Sequence, residues 1–273
     1  MKIKDWLKTA FHELQKADIT TARLDCLVLL EDASGKDRSY LLAHGDEELE
    51  SKVVQLLDEQ ITRRVSHEPL AYIRGRSEFY GREFMVNEHT LQPRPETETM
   101  ITMLKTHVLP HVQVRPVHVV DVGTGSGCIA VTVKLEIPHA QVIGTDVSKE
   151  CIRIAGQNAQ ELDAEIEFYQ GNLLQPVKDK EIDIILCNLP YVPNDFTINQ
   201  AAMQEPKLAI FGGVDGLDLY RELFAQVKKH EHKPEFILAE SLPFQHHTLA
   251  TMARQYGYAL EETDDFIQQF SLL

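Results

Sequence analysis

An apolar run at residues 117–122 leads straight into Gly123-Thr124-Gly125-Ser126-Gly127 and from there into a second apolar stretch at 129–135. A strand buried on both faces reads as a short continuous hydrophobic run, and glycines after it let the chain turn into a helix that packs back on the strand. The alternation then repeats. Residues 142–146 read as a strand, 149–162 as a helix, 166–169 and 182–187 as further strands, and 236–239 as a later one. This order predicts an α/β fold built on a mostly parallel sheet with helices on both faces.

The spacing of the glycines narrows what such a sheet could hold. Gly123-x-Gly125-x-Gly127 at a strand's carboxyl end permits close approach of a ligand to the backbone. Asp146 closes the next strand, where a carboxylate can accept both ribose hydroxyls of an adenosine-containing cofactor. Dinucleotide sites use GxGxxG with the third glycine inside the helix, whereas Cys128-Ile129-Ala130 follow Gly127 here. The pattern argues against NAD.

Beyond the strand at 182–187 comes Asn188-Leu189-Pro190-Tyr191. An asparagine amide oxygen and a neighbouring backbone carbonyl, stiffened by proline, offer two acceptors to an NH2 group. The tyrosine offers an apolar face to a flat conjugated system. Those features fit methyl transfer onto a planar nitrogen, either an amide or an exocyclic amine. A strand-capping turn residue and a core aromatic are the plainer readings of Asn188 and Tyr191 taken singly.

The first seventy residues read differently. Trp6, Leu7, Ala10, Phe11 and Leu14 share one helical face, and Leu49, Val53, Leu56, Leu57 and Ile61 form a second stripe that Pro69 ends, with Gly35 as a stop between them. The segment 78–86 reads as a hairpin, and Pro93-Arg94-Pro95 opens the second domain. With 273 residues and 43% hydrophobic content, two domains are expected: a helical one over 1–70, a hairpin linker over 71–92, and the α/β domain over 93–273. No run is long enough to span a membrane and no signal peptide is evident, so a cytoplasmic location is expected.

A net charge of −15 disfavours nucleic acid as a partner, since phosphate binding needs clustered cations. Arg63, Arg64, Arg74 and Arg76 are the one candidate basic patch, with a solvated surface as the plainer reading. Cys26, Cys128, Cys151 and Cys187 lack ligand or disulfide spacing and read as buried fillers. His246-His247 likewise shows no metal-ligand spacing and reads as surface polar residues, and no metal site is expected.

Several motifs together resemble the release-factor glutamine methyltransferases, the HemK/PrmC family. They are Ala22-Arg23-Leu24-Asp25, Pro69-Leu70-Ala71-Tyr72-Ile73, Pro93-Arg94-Pro95-Glu96-Thr97-Glu98, the glycine loop with Asp146, and the run from Glu205-Pro206-Lys207-Leu208-Ala209 through Gly212-Gly213 to Asp215-Gly216-Leu217. The resemblance covers nearly the whole chain. It implies a Rossmann-like, class I S-adenosylmethionine-dependent methyltransferase domain with a small N-terminal helical bundle and a connecting β-hairpin. The implied substrate is the glutamine amide of the Gly-Gly-Gln motif in class I peptide chain release factors, which the helical domain would recognise.

The resemblance also implies residue roles. Gly123, Thr124, Gly125, Ser126 and Gly127 would cradle the cofactor's methionine portion, Asp146 its ribose, and Asn172-Leu173 its adenine, with Asn188 adjoining. Asn188 and Tyr191 would be catalytic, and Asn188, Leu189, Pro190 and Tyr191 would hold the glutamine. Arg94 and Glu96 are candidates for an ion pair or an active-site wall. Three departures stand out: Leu189 replaces the family's usual proline, Ser241-Leu242 follows Glu240 where a glycine is usual, and 264–269 lacks the usual Gly and Arg. The form Asn-Leu-Pro-Tyr also resembles ribosomal RNA adenine dimethyltransferases, so an RNA or DNA adenine amine is the competing substrate. A silent cofactor-binding module is the second alternative.

Overall fold

The computed structural model describes residues 1–112 and 116–273. The chain divides into two compact units, Met1–Gly75 with Ile198–Gln204, and Arg76–Thr197 with Glu205–Leu273.

The first unit is helical: α1 (Ile3–Lys16), α2 (Ala22–Ser34), α3 (Arg38–Ala43), α4 (Ser51–Val65) and α5 (Leu70–Arg74). Trp6, Ala10 and Leu14 point from α1 into its core, and Leu57 and Ile61 from α4. Leu56, expected on the α4 stripe, is instead exposed, because the core-facing row of α4 is narrower than the hydrophobic row. Gly35 adopts a left-handed conformation and ends α2 as expected. The expected basic patch is dispersed into ion pairs. Arg63 Nε donates to Glu68 at 2.8 Å, Arg74 Nε to Asp32 at 2.6 Å, and within the second unit Arg76 Nη1 to Glu83 at 3.1 Å. Arg64 is buried rather than solvated and pairs with buried Asp25 at 2.8 Å.

The second unit opens with a hairpin of β1 (Arg76–Phe79) and β2 (Arg82–Met85) turning at Tyr80-Gly81, and continues through α6 (Glu98–Met103). Then come β3 (His118–Val122), α7 (Cys128–Glu136), β4 (Gln141–Asp146), α8 (Lys149–Glu161), β5 (Glu167–Gln170) and β6 (Ile184–Cys187). The chain ends with α9 (Lys207–Ile210), α10 (Asp218–Lys229), β7 (Phe236–Glu240), α11 (His246–Gln255), β8 (Tyr258–Asp264) and β9 (Ile267–Leu272). The seven-stranded sheet has the order β5-β4-β3-β6-β7-β9-β8. Its first five strands are parallel, while β9 runs antiparallel between β7 and β8, so the sheet is mixed.

Both faces of the sheet are buried, which explains the unbroken apolar runs. Val119, Ile184, Leu186 and Leu238 face a core shared with α6, α7 and the hairpin residues Phe79 and Phe84. Val120, Val122, Ile185 and Ile237 face the core under α10 and α11. Register then fixes the site. Val122 lies opposite Thr145 on one side and Cys187 on the other, so Gly123, Asp146 and Asn188 leave the sheet side by side. This is the switch point where strand order reverses and where open α/β sheets bind ligands.

Candidate active site

A cavity of about 400 Å³ opens at this switch point. Gly123, Thr124, Gly125 and Ser126 form one wall, Asp146 and the Asn172-Leu173 pair a second, and Asn188, Leu189 and Pro190 a third. The structure therefore brings together ten of the residues singled out in the sequence. Gly127 and Tyr191 are placed just outside the lining.

Gly127 serves packing: it is left-handed at the N-terminus of α7, and a Cβ there would stand 2.9 Å from the Cβ of Ala155. Gly125 serves the cavity. At φ +56° its added Cβ would find no protein atom nearer than the Gly123 carbonyl at 3.9 Å, so a methyl there would project into the space a cofactor would occupy. Beside it, the Asp146 carboxylate accepts the Gly125 N–H at 2.9 Å through Oδ2 and the Ser148 N–H at 2.8 Å through Oδ1. Each oxygen keeps a lone pair for a hydroxyl, and burial raises the group's pKa. Asn172 donates to Glu222 at 2.5 Å, and the Leu174 N–H donates to Gln226 at 2.9 Å, so α10 holds the second wall.

Beneath the glycine loop lies a residue that no motif marks. Asp121, fully buried in β3, accepts from the Thr124 hydroxyl at 2.6 Å and from the Ala130 N–H at 3.2 Å, tying the loop to α7. Burial pushes its pKa up to about 7. Cys128 and Cys151 line the cavity as thiols, their pKa values raised by burial to about 12 and about 11. All four cysteines are buried and free, as expected of fillers.

The Asn188 side chain donates through Nδ2 to the Thr97 hydroxyl at 3.0 Å, which leaves Oδ1 as the acceptor. Tyr191 is turned away from the cavity, and its hydroxyl donates to Glu240 Oε1 at 2.9 Å at the end of β7. Burial, reinforced by Glu240, raises the Tyr191 pKa far above the ordinary tyrosine range, so it is a neutral donor. The loop itself is braced by the stretch after Glu205. Val192 bridges to Phe211, the Gly212 N–H donates to the Val192 carbonyl at 2.9 Å, and Gln245 Nε2 donates at 2.7 Å to the carbonyls of both Tyr191 and Asp215. Gly212 and Gly216 admit no side chain, because a Cβ would strike the carbonyl oxygens of Pro190 and Tyr191 at 2.2 and 1.9 Å.

Arg94 forms its ion pair with buried Glu205, not with Glu96, and Glu205 also accepts the Gln92 N–H at 3.0 Å. The two sequence motifs 93–98 and 205–209 are thus one structural clamp. Thr97 and Glu205 stand within those motifs, whereas Asp121, Glu240 and Tyr220, whose hydroxyl accepts the Leu189 N–H at 3.4 Å, carry no spacing signal. His246, at the start of α11, approaches the Ser241 carbonyl at 3.3 Å, while His247 is exposed.

Residues 5–75 match the PrmC N-terminal domain family and residues 97–205 the methyltransferase small domain family. A release factor glutamine methyltransferase of Koribacter versatilis is 39% identical over 234 residues, 84% of this chain and 82% of that one. One of Geobacter sulfurreducens is 33% identical over 94% of this chain and 89% of its own. One of Enterococcus faecalis is 43% identical over 69% and 68% respectively. Among solved structures, the hMettl16 catalytic domain with MAT2A 3'UTR hairpin 1 superposes with a TM-score of 0.54 at 12% identity, covering 90% of this chain and 89% of that one. The T. thermophilus 16S rRNA methyltransferase RsmC, solved with AdoMet and guanosine, gives 0.52 at 16% identity over 72% of this chain and 49% of its own. These structures share the fold. The relatives and the matched domains go further: the chain belongs to the family of release factor glutamine methyltransferases, which are S-adenosylmethionine-dependent enzymes.

Proposed function

We propose that this chain methylates the side-chain amide nitrogen of the glutamine in the Gly-Gly-Gln motif of class I peptide chain release factors, and that it works in the cytoplasm. The observation that carries the reading is the Asn188 amide, held through Nδ2 by Thr97 at the wall of a cavity that also contains the glycine loop and Asp146. The names of the relatives supply the substrate class.

S-adenosylmethionine, when bound, supplies an electrophilic methyl group. Asp146 would accept its ribose hydroxyls, residues 123–127 its methionine portion, and Asn172-Leu173 its adenine. An amide nitrogen is a weak nucleophile because its lone pair is delocalised into the carbonyl, so orientation and charge compensation must come from the protein. Asn188 Oδ1 and the Leu189 carbonyl would accept the two N–H bonds, aim the nitrogen and offset the positive charge that builds on it. Pro190 would stiffen the loop, and Tyr191, hydrogen-bonded to Glu240, would fix its far side. The helical unit suits partner recognition, since an apolar hollow between its helices, lined by Leu7, Phe11, Leu27 and Leu42, is rimmed by Lys8 and Arg23.

Nucleic acid as the substrate is disfavoured by the net charge of −15 and by the pairing of all four arginines of the expected basic patch. The deciding experiment is transfer of a labelled methyl group from S-adenosylmethionine to a purified release factor, with a Gln→Ala variant of its Gly-Gly-Gln motif as control. Label on the natural factor alone is the expected result. Label on RNA instead, with none on the factor, would reject the reading.

A further inference from the structure

Asparagine presents an oxygen on one side of its amide and an NH2 group on the other, and the two have nearly the same shape. A substrate amide that offers two N–H bonds is bound only if the oxygen faces it. Nothing in the backbone of residues 188–191 decides which way the Asn188 amide lies; its hydrogen-bond partners must. Nδ2 donates to Thr97 Oγ1 at 3.0 Å, and Thr97 is buried, so the threonine's own hydrogen needs an acceptor other than Asn188. The Glu240 carboxyl lies beside both Thr97 and Asn188. It is 1% exposed and accepts the Tyr191 hydroxyl through Oε1, while Oε2 has no hydrogen-bond partner among the described residues. Thr97 and Asn188 lie close enough to the same carboxyl to favour its charged form against burial.

We propose that Glu240 is a positioning residue: as a buried carboxylate that only accepts, it sets the direction of the hydrogen bonds through Thr97 so that Asn188 turns its oxygen to the substrate amide. The inference rests on the substrate reading given above and adds the group that polarises its acceptor. A neutral Glu240 must itself donate, and either Thr97 or Tyr191 then has to reverse. Once Thr97 donates towards Asn188, the amide flips and meets the substrate's NH2 with its own.

Two carboxyls here change state near neutral pH, Glu240 and, acting on the same Cys187 from β3, Asp121, and the Glu240→Gln variant separates them. Glu96 raises the Glu240 pKa and Arg94 acts on Tyr191 beside it, while Tyr191, Tyr220, Cys187 and Cys128 are held neutral by burial. Together burial and Glu96 bring Glu240 up to about 7. Turnover should therefore fall as pH drops through that value.

The test combines kinetics with side-chain amide NMR on full-length protein carrying 15N-asparagine, the Asn188 signal being identified by its loss in Asn188→Ala. In the natural protein that signal should titrate with a midpoint near 7, and in Glu240→Gln the titration should vanish. Turnover at pH 8 should fall at least about tenfold in Glu240→Gln and in Thr97→Val, the equivalent of one lost hydrogen bond, while Thr97→Ser keeps it. Cofactor affinity should stay within about threefold, because Glu240 lies outside the cavity lining and Thr97, though part of it, is none of the groups assigned to the cofactor: the glycine loop, Asp146 and Asn172-Leu173 are unchanged. An Asn188 signal that titrates unchanged in Glu240→Gln would overturn the proposal. So would wild-type turnover in both Glu240→Gln and Thr97→Val. The NMR arm needs no substrate, so it decides the role of Glu240 even if no release factor is methylated, and should Glu240→Gln not fold, Thr97→Val with Thr97→Ser decides it.

Discussion

Replacing Asp146 by alanine separates the cofactor role proposed for this carboxylate from what it does for the fold. In the folded protein it accepts two backbone N–H groups, from Gly125 and Ser148. Bonds to a charged acceptor contribute about 1.5–3 kcal/mol each, and their loss would destabilise the loop. Burial acts the other way. It holds the carboxyl's pKa above the ordinary range, so the charged form carries a desolvation cost that alanine removes. The two effects largely offset, and the net loss of stability should be no more than about 2 kcal/mol. Nothing offsets the loss on the cofactor side. Two hydroxyl bonds to a carboxylate, at about 1.5–3 kcal/mol each, amount to about 10²- to 10⁴-fold in the dissociation constant of S-adenosylmethionine. Isothermal titration with the cofactor and urea unfolding of the ligand-free protein measure the two quantities separately. An affinity within about threefold of wild type, with the stability change as expected, would refute the assignment of Asp146 to the ribose.

Three further outcomes rest on the same geometry. Asn188→Ala should lower turnover on a release factor at least about 10²-fold, the usual effect of removing a preorganised group at the reacting centre, with S-adenosylmethionine affinity nearly unchanged; equal loss of both would contradict its role. Gly127→Ala should destabilise the protein by roughly 2–5 kcal/mol, from a left-handed backbone and from overpacking, because its Cβ would stand 3.1 Å from the Cα of Ala155; a change in urea midpoint too small to resolve would show that α8 gives way freely. Asp121 has a folded pKa of about 7 against an ordinary 3.8, so the fold favours its protonated form. Its contribution is complete below about pH 4 and is lost as pH rises to about 7, amounting to at most about 4 kcal/mol. Asp121→Asn should accordingly gain on the wild type in unfolding free energy across that range, and a difference independent of pH would rule out the titration of Asp121 as its source.

The sheet was readable because its strands are buried on both faces and therefore unbroken runs of apolar residues, as at Val119-Val120 and Ile184-Ile185-Leu186. The helix α10 is absent from the expected elements although Tyr220, Leu223, Phe224 and Val227 recur at helical spacing after the Asp215-Gly216 turn, because the charges among them leave no continuous apolar run. In the site, Gly123, Asp146 and Asn188 are legible because each stands at a strand's carboxyl end. Glu240 lies at a strand end too, but a glutamate there looks like any other until Tyr191 is seen to donate to it from 49 positions away. The pairing of Arg94 was misplaced for a similar reason. Glu96 is near in sequence, while Glu205, 111 positions on, is the partner in space.

Leu189, where the resemblance leads one to expect proline, does more than fill its place. Its N–H donates to the Tyr220 hydroxyl at 3.4 Å, a bond no proline could make, and its side chain leans on the glycine loop, where a Cβ on Gly123 would come within 3.0 Å of Cδ2. The two loops consequently constrain each other's permitted residues. A substitution at 189 alters what position 123 tolerates, and the reverse, so the effects of changes at these two sites should not add.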